Sequence, residues 1–127
     1  MKITHLRLHS YYSILRGTCS VETLVERAVE DGMSALALTD EGVLYGAVGF
    51  ERACRKAGIQ PLIGLTLQVG APNQLGVIES GTTEDGTVVV LATNPDGYRS
   101  LCRLSSHLMG SEQEQPDPRR VLPLSIY

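Results

Sequence analysis

The hydrophobic positions of this chain change their spacing along its length. Apolar residues recur every three or four positions, as on one face of a helix, in residues 20–32 and 45–58. Short apolar segments typical of strands occupy residues 3–8, 34–40 and 60–70. The resulting order is β-α-β-α-β. Because strands that alternate with helices pair in parallel through right-handed crossovers, we predict an α/β fold with the helices packed outside the sheet.

Capping residues indicate where the helices begin and end. Ser20 is a favourable N-cap for the first helix, and Gly58 follows the last turn of the second. A third helix is predicted in residues 94–110, with Asn94 as its N-cap and Pro95 at its first position. The chain therefore carries start or stop signals for three helices.

The pattern of hydrophobic and polar residues changes after the third predicted strand. Residues 73–93 predict two strands joined by a glycine-rich turn, with the tip at residues 83–86. Residues 111–127 are polar and then proline-containing, which predicts a tail whose first half is loose. The complete prediction is a β-α-β-α-β start followed by a hairpin, a helix and a tail.

Polar side chains collect at the ends of the predicted strands. His9 follows the first strand, Asp40 ends the second, and Thr66 lies in the third. Ligands bind at the carboxyl ends of strands in folds of this class, so we predict that these three residues lie close together. Ser10 and Ser13, in the loop after the first strand, are interpreted as turn-forming residues.

Composition limits the possible functions. The 127 residues carry a net charge of −3, with 11 basic and 14 acidic side chains, so there is no electrostatic ground to expect DNA binding. No apolar stretch is long enough for a signal peptide or a membrane span. The three cysteines are Cys19, Cys54 and Cys102, far apart and odd in number, which predicts reduced thiols in a cytoplasm. Cys54 and Cys102 are interpreted as core residues on helices.

Several stretches in order resemble the start of one known family. They are "HSYYSILRG", "ALALTDEGVLYGAVGF" and "AGIQPLIGLTLQV", followed later by "LATNPDGYRSLCRLSS". Together they resemble the polymerase and histidinol phosphatase (PHP) domain, in the version found at the N-terminus of bacterial DNA polymerase III alpha subunits. The similarity covers about residues 3–106. It implies a partial β/α barrel of the PHP type, with residues 1–110 forming the N-terminal part of that domain.

The resemblance also implies a metal site, from which this chain departs. In the family, histidines and carboxylates hold metal ions that hydrolyse phosphoesters. Arg7 replaces the first histidine of a His-x-His motif, Glu41 replaces the histidine of "TDHG", and Thr66 replaces the glutamate of "IGxE". Only His9 and Asp40 match. The resemblance therefore implies a degenerate site without catalytic residues, in which Arg7 pairs with Asp40 or Glu41 in place of the metal.

The function implied by the resemblance is that of a non-catalytic scaffold in DNA replication, without a cofactor. Its expected partners are the remainder of the polymerase alpha subunit and other replicase subunits such as the proofreading exonuclease. Polymerase activity would belong to the parent protein, and neither direct DNA contact nor a membrane is expected. Two alternatives stay open. One is a phosphoesterase or 3'–5' exonuclease that binds manganese, zinc or magnesium through His9, Asp40 and Glu41. The other is a free-standing interaction module.

Overall fold

Three helices and four strands form the part of the chain that the computed structural model describes, residues 3–70, 86–110 and 121–123. In chain order the elements are α1 Val21–Glu30, β1 Ala35–Leu38, α2 Ala47–Ala57, β2 Gln60–Gly70, β3 Gly86–Leu91, α3 Pro95–Gly110 and β4 Val121–Pro123. The alternation of strands and helices confirms the predicted α/β class.

Three of the helix ends lie at the residues that the sequence indicates. The Ser20 hydroxyl accepts a hydrogen bond from the Thr23 amide at 3.2 Å, and α1 starts at the next residue after Ser20. Gly58 ends α2 in the left-handed region, at φ 73°, where a side chain would be strained. The Asn94 side chain accepts from the Gly97 amide at 2.8 Å and caps α3. All three predicted capping residues are confirmed.

β2 is the strand to which the other three are paired. Its first residues pair in parallel with β1, and Gly64–Val69 pair antiparallel with β3. β4, within the segment predicted as a tail, pairs in parallel with the last residues of β2. The second strand of the predicted hairpin is therefore β3, hydrogen-bonded to β2. The other predicted hairpin strand and most of the tip, including residue 85, lie outside the described residues.

The opening segment, residues 3–8, does not form the regular strand that we predicted. It runs beside β1, because the Ala37 amide donates to the His5 carbonyl at 3.0 Å and the Thr39 amide donates to the Leu8 carbonyl at 2.8 Å. The Leu8 amide, however, donates to the Thr39 hydroxyl at 2.9 Å rather than to a backbone carbonyl. A side chain thus interrupts the strand ladder, and the alternation of faces expected of a strand does not apply here.

Two apolar clusters hold the elements together. The first lies among α1, β1 and α2, where Phe50 and Cys54 are completely buried. The second lies between β2 and α3, around Leu65 and Leu101. Cys54 is the core residue that we predicted, whereas Cys102 is only half-buried. Among the described residues, no helix has the length and hydrophobicity to cross a bilayer.

Burial should make the cysteines react at very different rates. Desolvation raises the pKa of the Cys54 thiol to about 11, whereas Cys19 is exposed. Because the thiolate is the nucleophile, maleimide at pH 8 should label Cys54 at least about a hundredfold more slowly than Cys19. Mass spectrometry of tryptic peptides from the labelled native chain measures both rates. In guanidinium the two rates should converge, and equal rates in the native chain would contradict the buried position of Cys54.

Candidate functional site

The parallel pairing of β1 with β2 continues past the end of β1 and positions the candidate site. Glu41 forms an isolated parallel bridge with Thr66, in the register of the β1–β2 pairing. The Thr66 amide donates to the Asp40 carbonyl at 3.1 Å, and the Gly42 amide donates to the Thr66 carbonyl at 3.1 Å. Asp40, Glu41 and Thr66 therefore lie next to one another at the carboxyl end of β1, where ligand sites of α/β folds occur.

Three donors from one loop hold the carboxylate of Asp40. The Ser10 amide donates to Oδ1 and the Ser10 hydroxyl to Oδ2, both at 2.7 Å. The Ser13 hydroxyl donates to Oδ1 at 2.6 Å. Asp40 is only 2% exposed, so these bonds replace the hydration that burial removes from the charge. We call Asp40, Ser10 and Ser13 together the Asp40 clasp.

The loop of residues 10–17 folds back on itself so that both serines face Asp40. The Ser13 amide donates to the Ser10 carbonyl at 3.0 Å, and the Gly17 amide donates to the Ser13 carbonyl at 2.9 Å. A Cβ atom at Gly17 would lie 2.0 Å from the Ser10 carbonyl oxygen, so the backbone can approach this closely only at a glycine. The predicted turn-forming role of the two serines is confirmed by these bonds.

His9 is joined to the same site through Thr66. The Thr66 hydroxyl donates its single proton to the Thr39 carbonyl at 2.7 Å. His9 Nε2 lies 3.0 Å from the same hydroxyl oxygen, which can only accept from it. Nε2 of His9 therefore carries a proton in this arrangement. The predicted proximity of His9, Asp40 and Thr66 is confirmed.

The arginine beside the acidic residues is Arg16 and not Arg7. Arg16 Nε lies 3.7 Å from Glu41 Oε1, and that oxygen is shielded from solvent without accepting a hydrogen bond from the described residues. Arg7 is exposed and forms no ion pair within residues 3–70, 86–110 and 121–123. The predicted pairing of Arg7 with Asp40 or Glu41 is wrong. Neutral donors already surround Asp40, and the segment that carries Arg7 is not a regular strand.

The donor atoms of this site do not fit a divalent metal. A metal needs free lone pairs on deprotonated ligands. The hydrogen bond to Thr66 takes up Nε2 of His9 and leaves only Nδ1 as a nitrogen ligand, and three hydrogen bonds occupy most of the four acceptor positions of the Asp40 carboxylate. Among the described residues, no three histidine, cysteine, aspartate or glutamate side chains are grouped so that they could hold an ion.

The sequence does not show that the two serines are partners of Asp40. Ser10 and Ser13 precede that residue by 30 and 27 positions, and no local pattern connects hydroxyls to a carboxylate over such a separation. The sequence also does not show whether Arg7 or Arg16 lies next to Glu41, because both precede it in the N-terminal segment. The available signal was a pair of serine hydroxyls in the loop after the first predicted strand, together with an acidic residue at the end of the second.

Comparison with known sequences finds a matching family model and several similar proteins. A family model of the PHP domain matches residues 5–124. The DNA polymerase III alpha subunit of Bacillus subtilis is 38% identical over 119 residues, which are 94% of this chain and 10% of that protein. The alpha subunit of Chlamydia muridarum is 41% identical over 102 residues, 80% of this chain and 8% of that protein. An error-prone DNA polymerase of Mycobacterium bovis is 40% identical over 113 residues, 87% of this chain and 10% of that protein.

Solved structures share the fold at lower sequence identity. An amidohydrolase from Chromobacterium violaceum, with bound sulfate and no metal, aligns with a TM-score of 0.57 at 23% identity. The alignment covers 87% of this chain and 36% of the other. A Bifidobacterium adolescentis protein provisionally assigned as a metal-dependent phosphoesterase aligns with a TM-score of 0.56 at 18% identity, over 89% of this chain and 39% of the other. These similarities show a common fold.

Proposed function

This chain belongs to the PHP domain family, and from that membership we propose that it is the PHP segment of a DNA polymerase III alpha subunit, acting as a non-catalytic scaffold in DNA replication. The curated relatives that support this proposal carry the name of that subunit and match 80 to 94% of the chain. The chain itself spans 8 to 10% of their length. Synthesis of DNA would therefore be a property of the whole subunit.

The Asp40 clasp is the observation that carries the non-catalytic part of the proposal. Hydrolysis of a phosphoester by metal ions requires ligands whose lone pairs are free to hold the ions next to the attacking and leaving oxygens. Here Asp40 is bonded to Ser10 and Ser13, and His9 donates to Thr66. The groups that would carry the chemistry instead join residues 9–13 to the end of β1 and to the middle of β2, which is a structural role.

The proposal includes partners and a location. The partners are the remainder of the alpha subunit and, within the replicase, subunits such as the proofreading exonuclease. The net charge of −3 supports assembly with protein rather than direct contact with DNA phosphates. All three cysteines are free thiols, which supports a cytoplasmic location.

The metal-dependent alternative and the scaffold proposal predict different results for metal binding and for hydrolysis. Calorimetric titration of the chain with Mn²⁺ and with Zn²⁺ should show no saturable binding at one or more ions per chain, because hydrogen bonds occupy His9 Nε2 and most of the Asp40 carboxylate, and no three candidate ligands are grouped among the described residues. Incubation with Mn²⁺ should cleave neither end-labelled single-stranded DNA nor p-nitrophenyl phosphate above the buffer rate. A positive result would be traced with two variants, His9→Ala at the site and His107→Ala at an exposed position of α3.

Two outcomes would contradict the scaffold proposal. Stoichiometric binding that His9→Ala abolishes and His107→Ala leaves unchanged would show a metal centre at the site. Metal-dependent hydrolysis with the same dependence on His9 would show an enzyme. Binding lost equally in both variants would indicate adventitious contact with histidine side chains and would leave the scaffold proposal intact.

A further inference from the structure

The tip of the 10–17 loop presents two aliphatic side chains to solvent. Ile14 is 82% exposed and Leu15 is 99% exposed. Leu15 is also the one non-glycine among the described residues with a positive φ, at 65°. Glycine and asparagine adopt this region more readily than leucine, so the backbone conformation does not explain the side chain. Neither Ile14 nor Leu15 stabilises the described chain by burial.

The loop that carries this tip is held in one conformation. Ser10 and Ser13 bind Asp40 through three hydrogen bonds, and the Gly17 amide donates to the Ser13 carbonyl at 2.9 Å. None of these bonds involves the side chains of Ile14 or Leu15. The clasp therefore fixes the position of the tip, and a surface that is ordered before binding loses less conformational entropy when it binds.

We propose that Ile14 and Leu15 form a docking tip that inserts into an apolar pocket of the polymerase alpha subunit, outside the PHP segment. This inference rests on the proposed function. The curated relatives contain about ten times as much chain as the segment matched here, so a partner surface in the same polypeptide is available. Docking within one polypeptide proceeds at a high effective concentration, so the tip needs to be only one part of the contact between this segment and the rest of the subunit.

The size and charge of the tip favour the rest of the alpha subunit over other binding partners. A stable interface between separate chains buries about 800 Å² on each partner, far more than two aliphatic side chains supply, which disfavours a second copy of this chain. The neighbouring cation, Arg16, lies 3.7 Å from the carboxylate of Glu41, so its charge is compensated within the loop region. A tip of this kind matches an apolar protein pocket rather than the phosphates of a nucleic acid.

The test uses the DNA polymerase III alpha subunit of Bacillus subtilis without the 119 residues matched by this chain. Biolayer interferometry should detect binding of the immobilised chain to that subunit, and Leu15→Asn should weaken it at least tenfold. Asparagine tolerates a positive φ, so the same variant should keep or raise the melting temperature of the chain. The control is Val48→Thr, which changes an exposed apolar residue on α2 and should alter neither quantity.

The outcomes separate this inference from the proposal on which it rests. Binding that Leu15→Asn and Ile14→Ser leave unchanged would overturn the docking tip and keep the scaffold. Absence of binding between the separate chains would leave the comparison to a single polypeptide, because only there is the effective concentration high. Concentration-dependent dimerisation of the chain that Leu15→Asn abolishes would assign the tip to a second copy instead.

If the shortened subunit does not fold or does not bind the chain, a chimera carrying this chain in place of the matched segment replaces it. Trypsin should then cut the Arg16–Gly17 bond at least tenfold more slowly than in the isolated chain, and Leu15→Asn should remove that protection. Equal cutting rates would overturn the inference.

Discussion

Replacing Asp40 with alanine should lower the free energy of unfolding by about 4 kcal/mol, because the change leaves buried donors without their charged acceptor. The Ser10 amide and the hydroxyls of Ser10 and Ser13 would lose their bonds to the carboxylate in one step. Urea unfolding followed by circular dichroism measures the loss. Since a small domain has a total stability of about 5–15 kcal/mol, the variant should be marginal at 37 °C.

Two further variants make the Asp40 result interpretable. Asp40→Asn keeps an acceptor for the donors at Oδ1 and should lose about half as much, which gives a measurable value even if the alanine variant does not fold. Asp96→Ala removes an exposed aspartate of α3 that pairs with Arg99, and should change stability by less than about 1 kcal/mol. A loss below about 1 kcal/mol in Asp40→Ala would show that the clasp does not hold the loop.

Replacing Gly17 with alanine should destabilise the chain by about 3 kcal/mol, since the added methyl group would overlap backbone atoms that cannot rotate away. The new Cβ would lie 2.0 Å from the Ser10 carbonyl oxygen and 2.9 Å from the His9 carbonyl oxygen. The loop would have to open, which would withdraw Ser10 from Asp40. The same urea experiment measures the effect.

Gly49 provides a matched control for the glycine substitution. It lies within α2, and a Cβ at this position meets no atom within 4 Å. Gly49→Ala should therefore stabilise the chain by about 0.5–1 kcal/mol through helix propensity. If both alanine variants changed stability by the same amount, the close approach at Gly17 would not be a constraint.

The sequence predicted those parts of the fold that depend on neighbouring residues. The helices follow from apolar spacing and from caps such as Ser20 and Asn94, because both signals act within one or two turns. β2 was predicted from a continuous apolar segment, and in the structure it pairs with each of the other three strands. The opening strand could not be predicted correctly, since the interruption comes from the Thr39 side chain, which is 31 positions away from Leu8.

The candidate site was predicted in position but not in its bonding. The parallel pairing alone brings Asp40 and Thr66 together, because the register of β1 and β2 continues past the end of β1 to Glu41 and Thr66. Which donor reaches a buried carboxylate depends on loop conformation, which periodicity does not report. The sequence offered Arg7 as an obvious cation, and the structure uses uncharged serines for Asp40 and Arg16 for Glu41.

The Asp40 clasp also determines how this segment depends on its surroundings. In a protein whose site is closed by a metal ion, the binding free energy of that ion is part of the folding free energy, so stability rises and falls with metal supply. Here the cohesion of the strand ends comes from hydroxyls and an amide that are encoded in the chain itself. The folding of this segment is therefore expected not to vary with the supply of metal ions to the cell.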